Sequence, residues 1–356
     1  MSDVALATTE RARSDRAVGL WLLLCCAMVF AMVVIGGITR LTHSGLSITE
    51  WNPVIGAIPP FGQGDWQAAF ERYRATPQYR LENAGMTLDA FKAIFWWEYI
   101  HRLWGRAIGV VFLVPFVYFL ATGRIGRALA PRLAILFGLG GLQAALGWFM
   151  VMSGLSERTS VSQYRLAAHL AAALLIYGYM LWLAFDLLSP RSAGASPRAE
   201  RRARLLAAWV FFVMISGAFV AGLRAGLIFN SFPLMDGRLV PDGLFALSPW
   251  FANPFEDVTT VQFDHRLLAV ATVVLVLLYR LSLNGLALSP RARLAANLMA
   301  AMVLVQLGFG IATLVLVVPI PLAAAHQAGA LMLFTLALWT AHALGDPAPR
   351  SSGRGR

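Results

Sequence analysis

Charge is scarce in this chain, and what there is leans one way. Charged residues make up 13% of the 356, against 58% hydrophobic, and the excess of arginine leaves a formal net charge of +11. Lysine occurs once, at Lys92, and cysteine twice, at the adjacent positions Cys25 and Cys26. So little charge, with a mean hydropathy of +0.66, excludes a soluble domain of ordinary composition. Neighbouring cysteines within an apolar run seldom bridge, and no connecting loop carries another, so a structural disulfide is not expected. A basic balance often marks nucleic-acid binding, but here the arginines flank apolar runs. Topology is a sufficient explanation, and no nucleic-acid partner is expected.

What is there is length. Apolar runs lie near residues 17 to 40, 99 to 122, 132 to 153, 165 to 188, 205 to 229, 264 to 284, 294 to 318 and 322 to 344. Each is long enough to cross a hydrocarbon core of about 30 Å, which takes roughly 20 helical residues. The expected fold class is an all-α integral membrane protein of eight transmembrane helices. Arg11, Arg13 and Arg16 precede the first run, which lacks a small-residue cleavage site and reads as a retained helix. Arginines concentrate in both tails and in the even-numbered connections, as at Arg124 and Arg127, Arg201 and Arg202, and Arg291 and Arg293. The positive-inside rule then places both termini in the cytoplasm. The opposite connections are poor in base or acidic, as at Asp236, Asp242, Glu256 and Asp257.

The chain repeats itself. Glu98-Tyr-Ile-His101-Arg102-Leu aligns with Gln262-Phe-Asp-His265-Arg266-Leu, and Ala-Ala-His169 with Ala-Ala-His326. Gln143-x-x-x-Gly147 returns as Gln306-x-x-x-Gly310, and Gly45-Leu46 as Gly226-Leu227. Four helices match four helices in order. Because four is even, the copies enter from the same side, giving two parallel four-helix bundles related by a pseudo-twofold along the membrane normal. Residues 1–190 and 205–344 are the expected halves, with 191–204 a polar cytoplasmic linker. The longest loop, about 42 to 97, is expected outside, with Trp96 and Trp97 in an interfacial aromatic belt.

Histidine inside a bilayer is costly without a partner or a task. Six occur. His101, His169, His265 and His326 sit near the external ends of the even spans, one pair per half. His43 aligns with Arg224 and His342 with no histidine, so these two are expected to be interfacial or capping. For one histidine a buried polar contact would be the ordinary reading. Four at matched depth in matched pairs point instead to ligation. Two imidazoles on facing helices of a four-helix bundle suit an iron porphyrin between them, whereas zinc asks for more donors at one site. Porphyrin propionates need cations, for which Arg102, Arg266, Arg165 and Arg106 are candidates; the plainer reading is that these arginines mark the interface. Glu98 lies one turn before His101 on the same face, while its counterpart is Gln262. An acid near a helix N-terminus is favourable in itself, by about 0.3–1 kcal/mol, yet the asymmetry suggests one reactive half and one static or electron-carrying half.

At this point the chain resembles the haem A synthase family. The carriers are Gly36-Gly37-Ile-Thr-Arg40-Leu-Thr-His-Ser-Gly45-Leu-Ser, Trp51-x-Pro53 with Pro59-Pro60, Glu98-Tyr-x-x-His101-Arg102-x-x-Gly105, Gln143-x-x-x-Gly147-Trp148, Ala168-His169, Phe263-x-His265-Arg266 and Ala325-His326-Gln327. They run through nearly the whole chain. The resemblance implies a substrate haem O between His101 and His169, with Glu98 beside the methyl group being oxidised, and a haem b cofactor between His265 and His326. It implies oxidation of that methyl to a formyl group, giving haem A for cytochrome oxidase assembly. It also implies haem O synthase and oxidase assembly factors as partners, a homo-oligomer being compatible, and the bacterial inner membrane as location, with the haem sites toward the periplasm. Some relatives carry a cysteine pair in an external loop; this chain does not, which excludes a thiol-dependent mechanism here. Two other readings use the same residues. A dihaem electron-transfer protein acting on quinone would need no difference between Glu98 and Gln262. A transporter built on a parallel repeat would place its polar groups near mid-membrane, with Gln143 and Gln306 as its best support.

Overall fold

A computed structural model describes residues 3–52, 55–155, 159–189 and 196–345. The described residues form helices and turns, with a single isolated bridge between Met235 and Arg238. Eight helices are long and apolar enough to cross a membrane. They are α1 (Asp3–Leu41), α4 (Leu88–Ala121), α5 (Ala130–Leu155), α6 (Gln163–Leu188), α7 (Pro197–Gly222), α9 (Val258–Ser282), α10 (Pro290–Val315) and α11 (Ile320–Ala343). The remaining helices, α2 (Gln63–Arg74), α3 (Pro77–Leu81) and α8 (Asn253–Glu256), lie in the two long connections. Those connections meet the same end of the helix array, called the loop end below.

Helix starts follow from local chemistry. Ser196-Pro197 and Ser289-Pro290 open α7 and α10, the serine hydroxyl accepting from the backbone N–H three residues on and proline filling the first helical position. Capping at Ser196 explains a difference from expectation: of the stretch read as linker, residues from Pro197 onward are helix, while Pro190 and Gly194 fall outside the described residues. The same helix ends at Gly222, short of the expected 229.

A larger difference lies in the first long loop. Thr87 caps α4, which begins at Leu88, nearly three turns before Glu98 is reached and well before the expected span at 99. The reason is an apolar face at i, i+4, i+8. Phe91, Phe95 and Tyr99 are buried against Ala69, Phe70 and Tyr73 of α2. This aromatic cluster is a satellite core separate from the main one, so the first loop is a small packed unit rather than an extended connection. Trp96 lies at the edge of that unit, 5.8 Å centroid to centroid from Trp66.

Within the array, α1 packs on α4 and α6, and α5 on α4 and α6; α7 packs on α9 and α11, and α10 on α9 and α11. Between these groups the contacts are α1 with α11, α6 with α7, and α6 with α11. Side chains stitch that seam. Tyr177 Oη lies 2.8 Å from Thr335 Oγ1, and Gln327 Nε2 donates to the Val33 carbonyl at 2.7 Å. At the end opposite the loops, His342 is fully buried against Trp182 and Phe185, its Nε2 3.0 Å from Asp186 Oδ1. His342 is therefore no interfacial residue: a carboxylate across the α6 and α11 contact provides the polar partner that lets an imidazole be buried.

Candidate functional site

Each of the four repeated histidines faces a glycine on a neighbouring helix. A Cβ on Gly36 of α1 would lie 3.0 Å from His101 Nε2, and one on Gly147 of α5 3.1 Å from His169 Cε1. A Cβ on Gly217 of α7 would lie 3.1 Å from His265 Cε1, and one on Gly310 of α10 2.9 Å from His326 Cε1. Any other residue would push into the ring. Gly147 and Gly310 were visible as a repeat in the sequence; Gly36 entered only as part of the family-like motif and Gly217 not at all, although the two hold matching places before Gly45-Leu46 and Gly226-Leu227. Within each half the two imidazoles are close enough to interact electrostatically, His101 with His169 and His265 with His326.

The partners of these rings differ between halves. Ser216 Oγ lies 2.7 Å from His265 Nδ1 and donates its proton to the Val213 carbonyl at 2.8 Å. The oxygen can then accept from Nδ1–H, which leaves the Nε2 lone pair for a metal. Gln306 Nε2 donates to the His326 carbonyl at 2.9 Å and lies 3.1 Å from Nδ1. In the first half Gln143 donates to the His169 carbonyl at 2.9 Å but sits 3.4 Å from Nε2, and His169 Nδ1 is buried with no partner. Ile35 stands where the second half has Ser216, and His101 makes no side-chain hydrogen bond among the described residues.

Glu98 is 2% exposed and fully engaged. Its Oε2 accepts from Ser47 Oγ at 2.7 Å and Ile48 N at 2.8 Å; its Oε1 accepts from Arg102 Nε at 3.0 Å and a terminal Arg102 nitrogen at 2.6 Å. Arg102 also donates to the carbonyls of Ile48 and Glu50. Glu98 and Arg102 together clamp the start of the first loop onto α4. In the second half Gln262 donates to the carbonyls of Ala225 and Phe229, and Arg266 to those of Phe229 and Ser231. The same clamp recurs with opposite polarity. Where the loop offers N–H and O–H donors the helix supplies a carboxylate, and where it offers carbonyls the helix supplies an amide.

The other two candidate arginines are also occupied. Arg106 donates to the Asn52 carbonyl at 2.9 Å, and Arg165 donates to the Phe149 carbonyl at 2.6 Å while stacking 3.7 Å from that ring's centroid. His43 lies at the loop end, exposed: its Nδ1 is 3.2 Å from the Arg224 guanidinium, which reaches Glu82 at 3.5 Å. Burial, then Arg224, push its imidazole below the usual histidine range.

The fold and these side chains define a polytopic helical membrane protein with two glycine-backed histidine pairs at one end of its bundle. Comparison with known proteins sharpens that class: the chain belongs to the family described as cytochrome oxidase assembly protein (COX15-CtaA), which it matches over residues 19–338. It is similar to "Heme A synthase" of Nitrosospira multiformis, 53% identical over 342 residues that cover 95% of this chain and 96% of the relative. The "Heme A synthase" of Nitrosomonas eutropha is 51% identical over 92% of this chain and 93% of its own length, and that of Parvibaculum lavamentivorans 52% over 93% and 95%.

Proposed function

We propose that the chain oxidises a methyl group of haem O to a formyl group, yielding haem A. The observation that carries this reading is the set of four glycine-backed histidines in two pairs, one carboxylate beside only one pair, in a chain about half identical to relatives named for that synthesis. The residues fit a porphyrin. Two imidazoles per half, each backed by a glycine, are the donor type that would hold a haem iron. Among the described residues no group of three metal-donor side chains forms a cage for zinc. Residues 1–190 are the substrate half and 205–344 the cofactor half.

In the first half His101 and His169 would hold the substrate haem, and in the second His265 and His326 a resident haem b. When bound, haem b supplies one-electron relay. The chain's own contribution there is orientation: Ser216 fixes the tautomer of His265, and Gly217 and Gly310 set the planes of both rings. Conversion of methyl to formyl is a four-electron oxidation that, written with water as the oxygen donor (–CH3 + H2O → –CHO + 4 H+ + 4 e–), proceeds by way of an alcohol and its gem-diol and passes its electrons to an external acceptor. Glu98 accepts four hydrogen bonds, the coordination of a carboxylate held in place rather than one free to swing. Its role is accordingly to stabilise positive charge developing on the attacked carbon, with Arg102 and the loop donors fixing its position. Arginine in the tails and even connections supports both termini in the cytoplasm and the histidine sites toward the periplasm. Haem O synthase is the enzyme whose product this chain consumes.

The test is expression with and without haem O synthase in a host that makes no haem A of its own, followed by extraction and mass identification of non-covalent haem. Haem A or its hydroxylated precursor, only when both proteins are present, is the expected result. Haem B alone in both samples would overturn it in favour of a dihaem electron carrier, and no haem at all would return the histidines to packing.

A further inference from the structure

A half-buried cation stands on the seam between the halves, and nothing above uses it. A helix advances about 1.5 Å and turns about 100° per residue. Arg40 is therefore about 6 Å nearer the loop end than Gly36, at an azimuth between Gly36 and Gly37. Gly36 faces His101, and Gly37 faces Gln327, the residue after His326. Arg40 thus stands between the two histidine pairs. Its guanidinium crosses to α7 and donates to the Ala221 carbonyl, one turn beyond the glycine that backs His265. Its Nε is buried with no partner. No carboxylate pairs with it among the described residues, and the nearby Glu82 is engaged by Arg224. Capping α7 is one task for this side chain, but it occupies one of five donors. The cap leaves the buried Nε–H unsatisfied, and an unpaired buried donor is costly. What completes such a group is an anion with two coplanar oxygens.

We propose that Arg40 binds a propionate carboxylate of the porphyrin held between His101 and His169. The inference rests on the haem reading above and deepens it. The arginines picked out by the repeat spend donors on loop carbonyls, on Glu98 or on Gln262. Arg40 keeps an unpartnered edge at the right end of the bundle. The position has no cationic twin: its counterpart in the second half is Ala221, which offers only its carbonyl. The seam position thus offers an anchor that has no equivalent at the matching place of the second half, where the arginine with a buried, unpartnered Nε is Arg266 on α9.

The experiment uses the full-length protein, purified with its second site occupied, and titrates it with two probes: haem B, and the dimethyl ester of haem B, which has no free carboxylate. Uptake at the first pair is identified by its loss in His101→Ala. Wild type should prefer haem B over the ester. Arg40→Gln should weaken haem B roughly 10- to 100-fold, the range for a lost charge-assisted hydrogen bond, and leave the ester unchanged. Arg40→Lys should restore part of the preference. Equal affinities for the two probes in wild type, or an equal loss for both in Arg40→Gln together with lower thermal stability, would show a helix cap only and overturn the proposal. Should Arg40→Gln fail to fold, the wild-type preference and its reduction in Arg40→Lys decide the matter. Failure of the underlying haem reading looks different: wild type would take up neither probe.

Discussion

In the second half Ser216 Oγ and Gln306 Nε2 each reach Nδ1 of a histidine; the serine oxygen can accept from Nδ1–H and free the His265 Nε2 lone pair, whereas the Gln306 amide nitrogen can only donate to His326. In the first half Ile35 replaces the serine, Gln143 faces the other ring nitrogen, and His101 has no such support. In both halves a glycine stands behind every ring. What differs is how firmly the imidazoles are held. Outer-shell partners orient ligating histidines and raise affinity, so under the proposed function the second half is the one expected to retain a group and the first to exchange one. The Glu98 and Gln262 pair teaches a second lesson. A difference that reads in sequence as reactive against inert is also a match of helix side chain to loop polarity, and the two explanations are separable by experiment.

The strongest way to break the comparison is to remove the ligands themselves. His265→Ala is expected to abolish the retained haem in purified protein, while His101→Ala leaves its absorption spectrum intact and loses product. Equal loss of retained haem in both variants would make the halves equivalent. Next come the clamps. Glu98→Ala leaves Arg102 buried without its carboxylate, a loss of about 3–5 kcal/mol for a broken buried pair, read as a lower unfolding temperature along with loss of formyl product. Glu98→Gln keeps more of the fold and tests the charge alone. Full formyl production by Glu98→Gln would remove the electrostatic assignment. Conversely, Gln262→Glu sets a carboxylate against the carbonyls of Ala225 and Phe229, and should destabilise the protein more than Glu98→Gln does.

A finer probe is Ser216→Ala, expected to weaken retention of the second haem by about 10- to 100-fold through loss of its outer-shell contact. Ile35→Ser, which grafts that contact onto the first half, should slow haem release there. Unchanged release would show that rigidity is set elsewhere. The smallest effect concerns His43. Its imidazole, faced by Arg224, Arg40 and Glu82, is held below its ordinary range, so the folded state favours the neutral ring. Stability from this contact is present above about pH 6.5 and declines as the pH falls below it, because the unfolded chain binds the proton more readily. A thermal-unfolding series from pH 8 to 5 should show a shallower acid-side fall for His43→Gln than for wild type.

Much of this was legible in the sequence. Eight spans follow from hydropathy, and the paired histidines from repetition. The start of α4 was not, because Phe91, Phe95 and Tyr99 are amphipathic against a partner in the same loop, which no span-length argument registers. His342 was misjudged for a related reason: its burial depends on Asp186, a residue 156 positions away. Arg40, part of the family-like motif, was not among the candidate cations, because those were chosen next to the repeated histidines and Arg40 lies on another helix. The arginine clamps were hidden too, since carbonyl acceptors carry no signature in a one-letter code.

The glycines behind the rings bear on how such a protein can change over generations. Glycine is the smallest residue, so a substitution at Gly36, Gly147, Gly217 or Gly310 can only crowd the imidazole it faces. Point mutation has no route to a roomier wall at these four places. A variant lineage that accepts a bulkier ligand must find the space by shifting whole helices or by shortening other side chains, and the four glycines become fixed reference points around which the rest of the chain is free to drift.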